Sequence, residues 1–341
     1  MCAITLKELA AKLEISVSTV SKALNNSFEI SEETKERVRK LAQEHNYRPN
    51  ILAKSLKTGR SNSIGVIIPY LGNPFQSQVL EGAHQAAFER NYKLVFMQSR
   101  ENALWEQESL NTLQQQNVDG IIITPSANSD LNYLKEFHQS CPLVLVDRID
   151  FDLETFKIGV NSEKGAYEAT QHLIDTGRKH ILVLCGLNVG INQQRISGYT
   201  KALLANFIPF QKENIIQVDY GLSRIDLIKN LTQKLQEKLK LQPEGIGILG
   251  TTDTLTVSAL GILANLGVQV PKQVAVIGFA NTEAAESLNP SLSTIIQPAF
   301  EIGQKGVEKL IQLIESKDRF KIDFNTTILD THIVPRNSTK V

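Results

Sequence analysis

The chain has 341 residues with 36 Lys/Arg and 36 Asp/Glu. That length predicts two or three buried cores, and the balance excludes a protein coated by nucleic acid over its whole surface. Three cysteines, at positions 2, 141 and 185, match neither a disulfide framework nor a metal cluster, and Cys141 and Cys185 read as small buried hydrophobes. No run of 18 apolar residues predicts a membrane span, and no secretory apolar stretch follows Met1, so a reducing cytoplasm is expected. Charge is unevenly spread: residues 1–60 hold 11 Lys/Arg against 7 Asp/Glu, and the remainder 25 against 29. A basic head on an acidic body suits a head that meets phosphates.

The head predicts three short helices. Thr5-Leu6-Lys7-Glu8 is a capping box, and Leu6, Leu9, Ala10 and Leu13 form one apolar face. Ser16 caps a second helix through Val20, Ala23 and Leu24, which face inward. The two helices are close enough to require a tight turn, so a helix-turn-helix is expected, with the second helix in the major groove. Val17, Ser18, Ser21 and Lys22 are left facing outward. Val17 offers methyl surface to thymine and Ser18 a hydroxyl to a base edge, while Lys22 reaches either a guanine edge or a phosphate. A third helix begins at Ser31, with Val38, Leu41, Ala42 and Tyr47 closing the small core.

Thr5–Ala10, Val17–Asn25 and Asn46-Tyr47-Arg48-Pro49-Asn50 resemble, in residue type and spacing, the lactose-repressor (LacI/GalR) family of bacterial transcription regulators. The resemblance implies operator contacts from Thr5, Ser16, Val17, Ser18, Thr19, Ser21, Lys22, Asn25 and Tyr47. It also implies a hinge helix, ordered when two subunits pair on DNA. Asn50 starts that helix, Leu52, Ala53 and Leu56 share a face, and Gly59 ends it. Leu56 is the implied minor-groove wedge, with Ala53 beside it, and Lys54 and Lys57 neutralise phosphates.

Beyond Ser61, short β-rich runs alternate with helical segments. The runs are Ser63–Pro69, Leu94–Phe96, Gly120–Ile123, Leu143–Val146, Ile181–Leu184, Gly245–Leu249 and Val274–Phe279. They predict parallel sheets covered on both faces, in two doubly wound lobes. Neither a dinucleotide fingerprint nor a P-loop is present. The resemblance continues through Asn73-Pro74-Phe75, Val118-Asp119-Gly120, Asp147-Arg148, Arg195–Tyr199 and Asn289–Ile295, and so covers residues 4–339. It implies a periplasmic-binding-protein-like body.

The expected organisation is a head over 1–48, a hinge over 49–60 and a body over 61–341. One lobe would hold about 61–161 with 290–320, the other about 162–289 with 321–341. A small-molecule effector, expected to be a sugar or sugar derivative, would bind between the lobes near the strand ends. The residues nominated for it are Phe75, Thr124, Ser126, Asp147, Arg195, Tyr220, Thr252, Asp253 and Asn281. Arg195 suits hydroxyls or a carboxylate, and Phe75 either stacks on a ring or belongs to the core. Two departures stand out. Thr252 replaces an amide that relatives commonly carry, and Ala280 replaces an acid, with Asn281 the nearest substitute.

The six histidines are scattered, and no nucleophile elbow, cofactor motif or metal motif occurs, so no catalysis, cofactor or metal is expected. The expected protein is a homodimeric repressor of a pseudo-palindromic operator, with a solute-binding protein or a sugar-modifying enzyme as the alternatives.

Overall fold

The computed structural model describes residues 4–47, 59–187, 191–220, 222–316, 318 and 321–340. Asn50, Ala53, Lys54, Leu56 and Lys57, and with them the expected hinge helix, lie outside these. The chain divides into two units, Met1–Ser61 and Asn62–Val341.

The first unit holds α1 (Leu6–Leu13), α2 (Val17–Leu24) and α3 (Glu32–Glu44). Each start is fixed by a side chain satisfying a backbone N–H that the helix leaves unpaired. Thr5 and Glu8 exchange bonds as a capping box, Ser16 accepts from Thr19 N–H at 3.0 Å, and Ser31 from Thr34 N–H at 3.3 Å. Leu9, Val20, Ala23 and Val38 are fully buried, with Leu41 and Tyr47 packed against them. So small a core leaves little reserve, which makes the caps a significant share of its stability.

The second unit contains two six-stranded sheets among the described residues. The first has the order β11-β5-β4-β3-β1-β2, from β1 (Ser63–Ile68), β2 (Lys93–Gln98), β3 (Gly120–Ile123), β4 (Leu143–Val146), β5 (Lys157–Val160) and β11 (Thr326–Leu329). The second has the order β12-β10-β9-β8-β6-β7. Its strands are β6 (His180–Gly186), β7 (Ile215–Val218), β8 (Ile246–Gly250), β9 (Val274–Phe279), β10 (Ser293–Ile296) and β12 (His332–Val334). Every pairing is parallel except that of β12 with β10. Apolar clusters lie on both faces of each sheet, which is why β3 and β4 read as unbroken apolar runs.

The helices are α4 (Pro74–Glu89), α5 (Ala103–Gln115), α6 (Leu131–Ser140), α7 (Ser162–Asp175), α8 (Asn192–Ala205), α9 (Arg224–Leu241), α10 (Asp253–Asn265) and α11 (Ala299–Glu315). Helices α4 and α11 approach to backbone contact. A Cβ on Gly82 would lie 1.9 Å from the Phe300 carbonyl oxygen, and one on Gly303 2.0 Å from that of Val79.

The lobes interleave differently from the sequence expectation. β10 belongs to the second sheet, so the return crossover falls at Gln297-Pro298 and not before residue 290. β11, within the expected 321–341 portion of the second lobe, pairs with β5 of the first. Its alternating burial marks an edge strand, a signal too short to place from sequence. The chain therefore crosses between lobes at Asn161, at Gln297-Pro298 and at Asp330-Thr331. Cys141 and Cys185 are buried and free, as expected.

Candidate functional site

In the head, α2 presents its start outward. Val17 is 40% exposed, Ser18 and Lys22 are exposed and Ser21 is half-buried, while Val20 and Ala23 are fully buried. Lys22 pairs with Glu29, so engaging a phosphate would exchange one partner for another. Thr5, Ser16 and Thr19 are occupied in capping, and the Asn25 side chain donates to Ser21 O at 2.8 Å. Tyr47 is half-buried, and burial raises its hydroxyl above the ordinary value.

In the body, a cavity of about 480 Å³ lies between the lobes, within the size range of small-molecule sites. The carboxyl ends of strands and the amino ends of helices meet there, as in doubly wound folds. Asn73 caps α4 and Thr252 caps α10, so Phe75, Gln76, Asp253 and Thr254 reach the cavity from first turns. Asp147 follows β4 with φ +66°, a conformation Asp tolerates better than most residues, and this turn places it at the wall.

Arg195 is the centre of the polar wall and 4% exposed. Its guanidinium lies 3.7 Å over the Phe279 ring, donates to Gln297 Oε1 at 2.9 Å and to the Thr251 carbonyl, and reaches the Ser162 hydroxyl. Burial lowers its pKa to about 10, opposed by the Asp147 and Asp253 carboxylates, and it remains cationic at neutral pH. Burial raises Asp147, against the pull of Arg148 and Arg195. Arg148 is opposed by burial, but its pairing with Glu101 outweighs this and holds it above the ordinary value. The Tyr220 hydroxyl, pushed up to about 12 by burial, bonds that of Thr252.

Asp253 is raised by burial to about 6, against stabilisation by the Asn281 N–H and Arg195. Between its ordinary 3.8 and about 6, the folded chain keeps a proton that the unfolded chain has lost. The penalty on folding is absent below pH 4, grows as pH rises and is complete above about 7. At full strength it is on the order of 2–3 kcal/mol. Asp253→Asn keeps an acceptor for the Asn281 N–H. In denaturant melts it is expected to be more stable than the parent at pH 7.5 and to lose most of that advantage by pH 4.5. An advantage independent of pH would assign it to another cause.

Of the nominated effector residues, Phe75, Asp147, Arg195, Tyr220, Thr252 and Asp253 line the cavity. Phe75 also belongs to the first-lobe core. Thr124, Ser126 and Asn281 are not among the lining residues. Thr124 is fully buried and bonds Gln76, which itself donates to Asp147 at 3.1 Å. The Ser126 N–H donates at 2.6 Å to the buried Glu106. Asn281 is consumed as a cross-link. Its Nδ2 donates at 2.7 Å to both Gln78 Oε1 and Gln297 O, and its Oδ1 accepts from Gln297 N. Gln78 Nε2 returns a bond to Asn281 O at 3.1 Å, joining α4 of the first lobe to the second. A carboxylate at this position could not donate those bonds. Sequence reasoning missed Gln76, Arg148 and Gln297. The Asp147-Arg148 pair was visible, but its partner Glu101 lies 47 residues away.

A basic three-helix unit and a two-lobed body with a polar inter-lobe cavity, carried on one chain, define a regulator that couples DNA to a small molecule. Residues 5–50 match the bacterial regulatory proteins of the lacI family. Residues 61–331 match the periplasmic binding proteins and sugar binding domain of the LacI family. The chain belongs to the LacI family of bacterial regulatory proteins. It is 31% identical over 335 residues to the ribose operon repressor of Haemophilus influenzae, covering 98% of each. It is 29% identical over 337 residues to the transcriptional repressor PurR of Aliivibrio fischeri, again covering 98% of each. Among solved structures, a lac repressor dimer bound to operator and the anti-inducer ONPF superposes with a TM-score of 0.85 at 25% identity, covering 99% of both chains.

Proposed function

We propose that this protein is a homodimeric transcriptional repressor whose affinity for a pseudo-palindromic operator is set by a polyhydroxylated small molecule, a sugar or sugar derivative, in the inter-lobe cavity. The observation that carries this reading is the cavity wall itself, where Arg195, Asp147 and Asp253 converge from both lobes beside a crossover residue, Gln297. Polar groups of both signs suit hydroxyls, which donate and accept. Each head reads a half-site through Val17, Ser18, Ser21 and Lys22, supported by Thr5, Ser16, Thr19, Asn25 and Tyr47. Asn50, Ala53, Lys54, Leu56 and Lys57 engage the operator centre. The effector acts by its differential affinity for two lobe arrangements, so coupling is reciprocal: one that weakens operator binding binds the DNA complex more weakly. The role is regulation and not turnover.

The test is selection of an operator from a random duplex pool, followed by binding titrations with and without sugars. Leu56→Ala is expected to weaken operator binding on the order of 10- to 100-fold, through loss of the wedge, while effector affinity is unchanged. Comparable loss of both would remove Leu56 from the wedge role.

A further inference from the structure

The charged groups around the cavity are unequally committed. Glu101 is spent on Arg148, which donates to it through both terminal nitrogens and also to Pro125 O at 3.0 Å. Asp147 accepts from Gln76 and Asp253 from the Asn281 N–H, and both lie close enough to Arg195 to oppose the loss of its charge. Three carboxylates are thus balanced by two buried arginines and by backbone and amide donors. Two further arginines line the cavity: Arg100, after β2 in the first lobe, and Arg224, the first residue of α9 in the second. The side chain of neither meets a carboxylate or carbonyl among the described residues. Arg100 is steadied by Trp105, its guanidinium 5.3 Å from the ring centroid, which leaves its N–H edges free. Deeper in, the Arg148 Nε is buried with no acceptor among the described residues. Arg100 and Arg224 are both exposed, so in the free protein water meets their donors. With every lining carboxylate already engaged, they leave uncompensated positive charge on both lobes, which favours a ligand that brings an anion.

We infer that the effector is an anionic sugar derivative, carrying a phosphate or carboxylate held by Arg100 and Arg224 while its hydroxyls meet the inner wall. The inference rests on the cavity being the effector site proposed above. Because the two arginines stand on different lobes, the anion contributes to the differential affinity that gating requires. A neutral sugar lacking it leaves both guanidinium groups to water and gains nothing from their charge.

Trp105 is the single tryptophan of the chain and touches Arg100, so its emission reports on this part of the wall. The test titrates the full-length protein with D-glucose, D-glucose 6-phosphate, D-glucuronate, D-ribose and D-ribose 5-phosphate, followed by Trp105 fluorescence and by calorimetry. An anionic member is expected to bind at least about tenfold more tightly than its neutral parent, with added salt eroding the difference. The phosphate and uronate arms identify which anion is read. Arg100→Ala and Arg224→Ala are each expected to bring the preference to within about twofold, a few tenths of a kcal/mol, by weakening anionic binding. Neutral binding as tight as anionic binding would overturn the inference, as would a preference that survives in the double variant. Operator release by a neutral sugar alone would overturn it while leaving the repressor reading intact. Failure of the protein to bind any selected duplex would instead strike that reading.

Discussion

Gly303→Val is expected to leave no stably folded first lobe. The new Cβ would sit 2.0 Å from the Val79 carbonyl oxygen and 2.6 Å from the Ala83 nitrogen, both backbone atoms of the helix packed against it. Backbone within a helix cannot swing aside as a side-chain tip does, so α4 and α11 must separate. Separation uncovers Val79, Ala83, Ile302 and Val307, all fully buried members of one cluster. Overpacking of this kind exceeds the usual cost of a point substitution, and about 4 kcal/mol or more is a large part of a domain's total of about 5–15. Gly261→Ala in α10 is the control. Nothing lies within 4 Å of its Cβ, and a helical glycine replaced there gains on the order of 0.5–1 kcal/mol. Thermal melts of both variants decide the matter, and a Gly303→Val midpoint within a few degrees of the parent would show that the helices yield.

Arg195→Ala is expected to abolish the response to effector while leaving operator affinity in place. Removal strands the Thr251 carbonyl and Gln297, and leaves Asp147 and Asp253 buried without their shared cation. Both carboxylates then take up protons more readily, and the wall loses its charged donor. A loss of about 100-fold in effector affinity corresponds to the 2–3 kcal/mol typical of a charge-assisted bond removed from a buried site. Arg195→Lys keeps the charge without the fork and is expected to recover only part of the response. Normal operator release by effector in the alanine variant would take Arg195 out of the site.

The fold was legible where one physical signal dominates. β3 and β4 are apolar throughout because helices cover both faces, and the caps Thr5, Ser16 and Ser31 announce helix starts locally. It was not legible where partners are distant. β11 is four residues of alternating exposure whose lobe is decided by pairing with β5, about 170 residues earlier. The site divides in the same way. Asp147 and Arg195 reach the cavity, as the sequence suggested, because strand ends and helix starts face the cleft. Asn281 was misplaced because its residue type fits a ligand contact equally well, and only Gln78, 203 residues away, and Gln297 reveal that its amide is already taken. The Asn281 amide holds α4 of the first lobe to the crossover of the second.

The return of α11 and β11 to the first lobe also sets an order in time. Translation yields β1 to β5 and α4 long before Leu329, the last residue of β11. At about 5–20 residues per second, the delay between Val160 and Leu329 is roughly 10–30 s. Until Glu315 is made the Gly82 face of α4 has no helix against it, and until Leu329 is made the outer edge of β5 has no strand. Open edges and bare apolar faces pair with whatever chain is nearest. On a polysome the nearest chain is another nascent copy, whose own α11 fits that face equally well. The same feature that unites the lobes in the finished molecule therefore exposes its synthesis to exchange between copies, and places a premium on holding early lobes apart until each chain completes itself.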